Sequence, residues 1–134
     1  MGRKRRAPND PREWLSRAQS NLSRATNPLS DAYLEDFCFD AQQAAEKAIK
    51  AVFMAHGLAF PNIHDLGRLL TLLVQGGVRV PKYVREADQL TRFAVDARYP
   101  GLSSPVTSRD HRRVVRIASR VVDWATRQVE RLCP

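Results

Sequence analysis

Residues 37–55, FCFDAQQAAEKAIKAVFMA, carry the strongest periodic pattern in the chain. Small and apolar side chains recur there every three or four positions, which places them on one face of an α-helix. They are Phe37, Ala41, Ala44, Ala48, Ala51 or Val52, and Ala55. Because small side chains let neighbouring helices approach closely, this segment predicts the central helix of a bundle. The predicted helix begins at Ser30 or Asp31 and ends near His56, before the helix-terminating Gly57.

Four further helices are predicted around this one. The first begins near Asp10, with Asn9 or Asp10 as its cap and Pro11 in its first turn, and it ends at Asn27. The others span about 65–74, 81–97 and 108–132, and Gly or Pro residues separate them. In the 81–97 helix we expect the inward side chains to be Val84, Ala87, Leu90 or Thr91, and Ala94. No stretch alternates as a β-strand does, so the sequence predicts an all-α, up-and-down helical bundle of about five helices.

The last predicted helix separates apolar from basic residues. Its cap is Thr107 or Ser108, and Asp110 lies in its first turn. The predicted core face consists of Val114, Ala118, Val121, Ala125 and Leu132. The opposite face consists of Arg109, Arg113, Arg116, Arg120 and Arg127. This arginine face is either an ordinary solvated surface or a surface that binds anions or nucleic acid.

Length and charge limit the class of protein. The 134 residues fit one domain, which we place at 10–134, preceded by a flexible basic arm at 1–9 that contains Arg3, Lys4, Arg5 and Arg6. The net charge of +8 attracts nucleic acid, nucleotides or acidic partners, whereas codon bias in a GC-rich genome also accounts for the preference for Arg over Lys. We expect no membrane span, metal or cofactor, and a cytoplasmic location.

Motifs for nucleotide hydrolysis, serine hydrolysis and zinc proteolysis are absent from the sequence. Of the three histidines, His111 is expected at the surface. His64 lies in Asn62-Ile63-His64-Asp65-Leu66 at a helix start, where Asn62 or His64 can cap free N–H groups. The alternative is a polar site where an imidazole and exposed amides meet a phosphate.

A second polar group lies where the fourth predicted helix ends, at Arg98-Tyr99-Pro100. The residue before a proline is pushed out of the α region, so the chain turns there. Arg98 can pair with Glu46 or Asp40 on the central helix and fix the bundle, or it can contact a ligand. Glu46 itself has Lys50 at the favourable i, i+4 position.

Taken together, four segments resemble the HEPN domain, the higher eukaryote and prokaryote nucleotide-binding domain. They are Trp14-Leu15-x-x-Ala18, the FDAQQAAEKAIKA run at 39–51, His64-Asp65-Leu66 and Arg98-Tyr99-Pro100. The resemblance covers residues 11–131. It implies a helical bundle that forms a homodimer and often works beside a minimal nucleotidyltransferase, in some cases as a toxin–antitoxin pair.

The resemblance also bears on activity. Many HEPN proteins are metal-independent RNases with an Arg-x(4–6)-His motif, but no Arg occupies the required window before His56, His64 or His111. Lys50 before His56 is the nearest substitute, and Lys holds a phosphate differently from Arg. The residues that match the family's recurrent motifs, and are therefore candidates for nucleotide or anion binding, are Glu46, Lys47, His64, Asp65, Arg98 and Tyr99.

Three hypotheses follow from the sequence. The preferred one is a non-catalytic module that binds nucleotide or RNA, or a nucleotidyltransferase partner. The second is an RNase toxin with a non-standard site such as His64 with Arg98. The third is a structural or nucleic-acid-associated basic bundle, which needs no pocket.

Overall fold

The computed structural model describes residues 2–94, 99–101 and 104–134. Its elements are α1 (Pro11–Thr26), α2 (Leu34–Ala55), α3 (Leu66–Gln75), α4 (Lys82–Arg85), a 3₁₀ helix (Glu86–Ala94) and α5 (Ser108–Leu132). The described residues contain no β-strand. The predicted all-α bundle of about five helices is confirmed.

Helix α2 is the centre of the bundle. It packs against α1, α5 and the 3₁₀ helix, so most of its surface is covered by neighbouring elements. Ala41, Ala44, Ala48 and Ala51 are fully buried, which is consistent with close approach of the neighbouring helices along this seam. Because neighbouring elements cover α2 on several sides, its buried side chains lie all round the helix and not on one stripe only.

Three helices begin at side-chain caps. Asp10 accepts a hydrogen bond from the Arg12 N–H, and Pro11 follows it, as the sequence predicts. Asp65 accepts from the Arg68 N–H at the start of α3, so this residue, and neither Asn62 nor His64, is the cap. At α5, Thr107 and Asp110 form a reciprocal capping box.

The predicted start of α2 at Ser30 or Asp31 is wrong, because the helix begins at Leu34. The Ala32 N–H bonds the Leu29 carbonyl at 3.3 Å, so this segment makes a turn before the helix begins. Tyr33 then occupies the N-cap position without a side-chain hydrogen bond, and it is 78% exposed.

The segment predicted as one helix at 81–97 is an α-turn followed by a 3₁₀ helix, and its residues 95–97 lie outside the described residues. Val84, Ala87, Leu90 and Phe93 are all buried and lie three positions apart. A strict period of three keeps side chains aligned in a 3₁₀ helix, whereas an α-helix would turn them progressively away. Ala94 is also buried, as expected.

The predicted core face of α5 is confirmed at Val114, Ala118, Val121 and Ala125, all of which are buried. Leu132 is 40% exposed, so its predicted place in the core is wrong, and the next residue, Cys133, packs against the core instead. The expectation of a surface position for His111 is also wrong. This residue is buried, and its Nε2 lies 2.7 Å from the Ala25 carbonyl oxygen at the end of α1.

The basic arm lies along α1 with its side chains exposed. Arg3 Nη1 donates to Gln19 Oε1 at 3.3 Å, and the Arg6 N–H donates to Glu13 Oε1 at 2.7 Å. Its division from a domain at 10–134 stays a prediction. Across the described ranges, no helix is long and apolar enough to cross a bilayer.

Candidate functional site

The Glu46 carboxylate is the centre of a polar network inside the bundle, and it is only 4% exposed. Lys50 Nζ donates to Glu46 Oε2 at 3.1 Å, which confirms the i, i+4 pair expected from the sequence. Gln42 Nε2 donates to Oε1 at 3.1 Å from the previous turn of α2. His64 Nδ1 lies 2.9 Å from the same Oε1. The carboxylate thus links one face of α2 to the segment before α3.

Lys50 is itself buried, and an aromatic cluster covers it. Its Nζ lies 5.4 Å from the centre of the Phe60 ring, within cation–π range. Phe60 makes edge contacts with both Trp14 and Phe53, at 5.7 Å between ring centres in each case. A buried ammonium requires a compensating carboxylate, so Glu46 and Lys50 depend on each other.

His64 joins this network from the surface. Its side chain is 61% exposed, whereas that of Glu46 is 6% exposed. An ionised carboxylate can only accept, so Nδ1 carries the proton in this contact and the remaining ring nitrogen, Nε2, faces away from it. A buried carboxylate that orients an exposed imidazole in this way is a common arrangement in proton-transfer sites. Asp65 follows in the chain, but its carboxylate caps α3.

Lys47 belongs to a different network, between α2 and α1. Its Nζ donates to Asn21 Oδ1 at 2.7 Å, and Asn21 Nδ2 donates in turn to Asp40 Oδ1 at 3.1 Å. Arg24 Nε lies 3.5 Å from the other oxygen of Asp40. Desolvation lowers the pKa of Lys47 from its ordinary value. This polar seam holds the first two helices together.

The six candidate residues from the sequence therefore do not form one cluster. Glu46 and His64 contact each other directly. Asp65 instead caps α3, and Lys47 belongs to the polar seam between α1 and α2. Tyr99 is 54% exposed, and Arg98 lies outside the described residues together with its expected pairing to Glu46 or Asp40.

The arginine face of α5 is exposed at every predicted position. Its members are Arg109, Arg113, Arg116, Arg120 and Arg127. A groove of about 350 Å³, which we call the arginine groove, runs between α5 and the 3₁₀ helix. Its lining residues are Glu86, Gln89, Arg113, Arg116, Ile117 and Arg120.

Few of these guanidinium groups are engaged. Arg120 Nη1 lies 3.9 Å from Glu86 Oε2, and Arg127 Nη2 donates to the Tyr83 hydroxyl at 3.1 Å. The side chains of Arg113 and Arg116 make no hydrogen bond or ion pair with the described residues. An exposed, weakly paired arginine keeps its donors available for a phosphate or carboxylate from outside.

Sequence reasoning missed the polar residues that complete both regions. Gln42 is fully buried, and besides its place in the 39–51 run its signal is its position four residues before Glu46. Gln89 and Glu86 reach the arginine groove because the 3₁₀ helix packs beside α5, which local spacing does not reveal. Among the residues with described positions, no group of three or more His, Cys, Asp or Glu could hold a metal ion.

Comparison with known proteins identifies the class. The HEPN domain family model matches residues 11–129, so this chain belongs to the HEPN domain family. Two similar solved structures are TT1696 from Thermus thermophilus and ST0689, an archaeal HEPN homologue.

The two structures match almost end to end. TT1696 is 29% identical with a TM-score of 0.79, and the match covers 90% of this chain and 98% of that one. ST0689 is 27% identical with a TM-score of 0.72, with 95% and 99% covered. A search of curated proteins found no match.

Proposed function

We propose that this HEPN protein is a non-catalytic module that binds RNA or nucleotide phosphates on the arginine face of α5. The main support is the arginine groove, where Arg113, Arg116 and Arg120 line one concavity with Gln89 beside them. The net charge of +8 adds a long-range attraction for the same ligands.

The spacing of the arginines suits a chain of phosphates. Arg109, Arg113, Arg116 and Arg120 follow one another at intervals of three or four residues, which is about 4.5–6 Å along a helix axis. They form a line of positive charge and not a single point. A sugar–phosphate backbone presents charges in a line, and each guanidinium fork can bind a phosphate through two hydrogen bonds.

Residues outside the arginine face support the non-catalytic part of the proposal. The RNase motif of the family has no Arg in any of the required windows. Glu46 and Lys50 are engaged with each other inside the bundle, and Lys50 has no exposed path to a ligand.

The test is binding of a short single-stranded RNA, measured by fluorescence anisotropy over a range of salt concentrations. The triple variant Arg113→Ala, Arg116→Ala, Arg120→Ala should lose at least about tenfold in affinity. The slope of log K against log salt should become shallower by about 2, since each phosphate contact on a single strand contributes about 0.7. The matched control is Arg68→Ala, Arg79→Ala, Arg85→Ala, which removes three exposed arginines elsewhere.

Equal losses in the two triple variants would show that binding follows net charge alone, and would refute the assignment to the arginine face. Equal affinity for single-stranded RNA and duplex DNA of the same length would instead favour the structural, nucleic-acid-associated bundle. Cleavage of the RNA by highly purified protein would contradict the non-catalytic part of the proposal.

Family membership supports two partners as part of the same proposal. One is a second copy of the chain, and the other is a minimal nucleotidyltransferase, in a toxin–antitoxin pair. Co-expression with a transferase encoded beside this protein, followed by size-exclusion chromatography, should give a joint peak. Separate elution of the two proteins at micromolar concentration would remove the transferase from the proposal.

One observation favours a second candidate function, an RNase with a non-standard site. His64 is exposed, and a buried carboxylate orients its ring. In that case Nε2 takes the proton of an RNA 2′-hydroxyl, the 2′-oxygen attacks the adjacent phosphorus, and the 5′-oxygen leaves and takes a proton from water. If His64→Ala leaves any RNA cleavage unchanged, this site is not the source of it.

A further inference from the structure

The bundle carries its acidic residues unevenly. Residues 27–46 contain five carboxylates and no Lys or Arg, although the whole chain has a net charge of +8. Glu46 and Asp40 belong to the polar networks described above. The other three, Asp31, Glu35 and Asp36, make no hydrogen bond or ion pair within the described part of the chain. They surround the turn between α1 and α2, where they produce a local negative potential.

A cleft of about 580 Å³ opens at the same place, and we call it the corner cleft. Leu29, Phe37 and Phe39 supply apolar surface to it, and Asp36 supplies a carboxylate. Arg24 and Asp40 also line it, but they are paired with each other at 3.5 Å. Its volume falls within the range of about 300–1,000 Å³ that is usual for ligand pockets. Leu29 at 66% and Tyr33 at 78% are the two most exposed large hydrophobic residues among those described. Exposed apolar surface beside a cleft indicates a contact surface.

The basic arm has the complementary properties. Residues 3–6 are Arg-Lys-Arg-Arg, and residues 2–9 are exposed throughout. The arm's side-chain bonds to α1 are long and open to water, at 3.3 Å to Gln19 and 3.4 Å to Ser16. The arm's backbone is held more firmly, because the Arg6 N–H donates to the buried Glu13 carboxylate at 2.7 Å and Trp14 Nε1 donates to the Pro8 carbonyl oxygen at 2.9 Å. The exposed side-chain contacts cost little to release, and Glu13 keeps its bond to Arg17 at 2.8 Å when the Arg6 N–H leaves it.

We propose that the corner cleft binds the basic arm of a second copy of this chain, and that two copies exchange their arms reciprocally. Four consecutive cations meet a surface with the three carboxylates that have no partner among the described residues. Leu29 and Tyr33 then cover the aliphatic stems of the Arg and Lys side chains. Residues 2–9 of a chain do not line its own corner cleft. An extended arm of eight residues spans about 25 Å.

The reciprocal arrangement follows from symmetry. Each copy has one arm and one cleft, so a two-fold dimer satisfies both pairs with one kind of contact. Residues of α1, α2 and the turn between them line the corner cleft, and the residues of the arginine groove do not, so the two sites can be tested separately.

The experiment traps the exchange with a disulfide between two different chains. One protein carries Arg5→Cys and the other carries Tyr33→Cys, both with Cys133→Ser. Cys38 stays in place, because it is fully buried and burial raises the pKa of its thiol to about 12. After mixing at low salt under mild oxidation, we expect at least fivefold more cross-linked heterodimer than with the control pair Arg5→Cys and Glu130→Cys.

Charge reversal tests the same contact without a cross-link. Asp36→Arg should raise the dimer Kd at least about tenfold, because each of two equivalent sites loses an attraction and gains a repulsion. Glu130→Arg makes the same change of charge at an exposed site on α5 and should leave the Kd unchanged. Sedimentation equilibrium at low and high salt measures both constants.

Three results would overturn the proposal. They are equal yields of cross-linked heterodimer from the two pairs, a dimer Kd that Asp36→Arg leaves unchanged, or a protein that is monomeric at all concentrations. Protection of Tyr33→Cys from thiol labelling by a co-purified transferase, with no effect of deleting residues 2–7, would assign the cleft to that partner instead. RNA affinity measured on Asp36→Arg keeps the two proposals separate, since the arginine groove is unchanged in it.

Discussion

The charged side chains of α2 and of α5 occupy opposite surroundings. Glu46 and Lys50 on α2 are 4% and 3% exposed, and they are bonded to each other and to neighbouring polar groups. Arg113 and Arg116 on α5 are exposed and unpaired among the described residues. In this bundle the charges inside are bonded to one another, whereas these two arginines outside have no partner among the described residues. Mutations in the two regions should therefore affect different measurements.

The largest effect is expected for Glu46→Ala. The substitution leaves the Lys50 ammonium buried without its carboxylate, so the free energy of unfolding should fall by about 3–5 kcal/mol. Urea denaturation followed by circular dichroism measures it. The control is the double variant Glu46→Met, Lys50→Met, which removes both charges and should recover most of the loss. A loss below about 1 kcal/mol for the single change would mean that Lys50 reaches solvent and that the network does not maintain the fold.

An intermediate effect is expected at the start of α5, where the half-buried Asp110 carboxylate has hydrogen-bond partners. Thr107→Ala removes a cap and should lower the free energy of unfolding by about 1 kcal/mol at neutral pH. Hydrogen bonds from the Thr107 backbone and then its side chain lower the pKa of Asp110. A lowered folded-state pKa gives stability that is present above the unfolded value, near 3.9, and is lost as the pH falls through the folded value.

Asp110→Asn should therefore flatten the acid side of the stability curve, which thermal melts at neutral pH, at pH 4 and below pH 3 would show. Asp123→Asn provides the comparison, since the Asp123 side chain is exposed and makes no hydrogen bond with the described residues. If the two variants have the same acid profile, the capping box does not contribute to acid sensitivity.

The smallest effect on stability is expected on the arginine face. Arg116→Ala should change the free energy of unfolding by no more than about 0.5 kcal/mol, because the side chain is exposed and unpaired. The same protein should show weaker RNA binding in the anisotropy assay. A loss of stability above about 1 kcal/mol would remove the distinction between the two regions, since Arg116 would then help to hold the 3₁₀ helix against α5.

Helices α2 and α5 could be predicted from the sequence because their signals are local. The alanine seam repeats every three or four residues, and Thr107 with Asp110 forms a complete capping pattern within four positions. The 3₁₀ helix could not be predicted in the same way. Its residues fit an α-helical pattern nearly as well, and only the alignment of Ala87, Leu90 and Phe93 against the core separates the two.

The candidate site could be predicted only in part. Glu46, Lys50 and His64 could be singled out, but the contact between Glu46 and His64 joins residues 18 positions apart and depends on how the segment before α3 packs over α2. The sequence groups Lys47 with these residues, yet the Lys47 side chain bonds Asn21 on α1, because successive residues of a helix face different neighbours. Tertiary packing sets these directions, and a single sequence does not contain that information locally.

The 3₁₀ helix has a consequence for how the molecule opens. Nine residues is long for this geometry, and its i→i+3 bonds are poorer than those of an α-helix, so backbone amides between Glu86 and Ala94 should exchange with heavy water sooner than those of α2. Glu86 and Gln89 of this segment line the arginine groove. An anion bound in the groove would contact both the 3₁₀ helix and α5, the longest helix among the described elements. Slower deuterium uptake by the amides of the 3₁₀ helix would therefore report that the groove is occupied, without any label on the ligand.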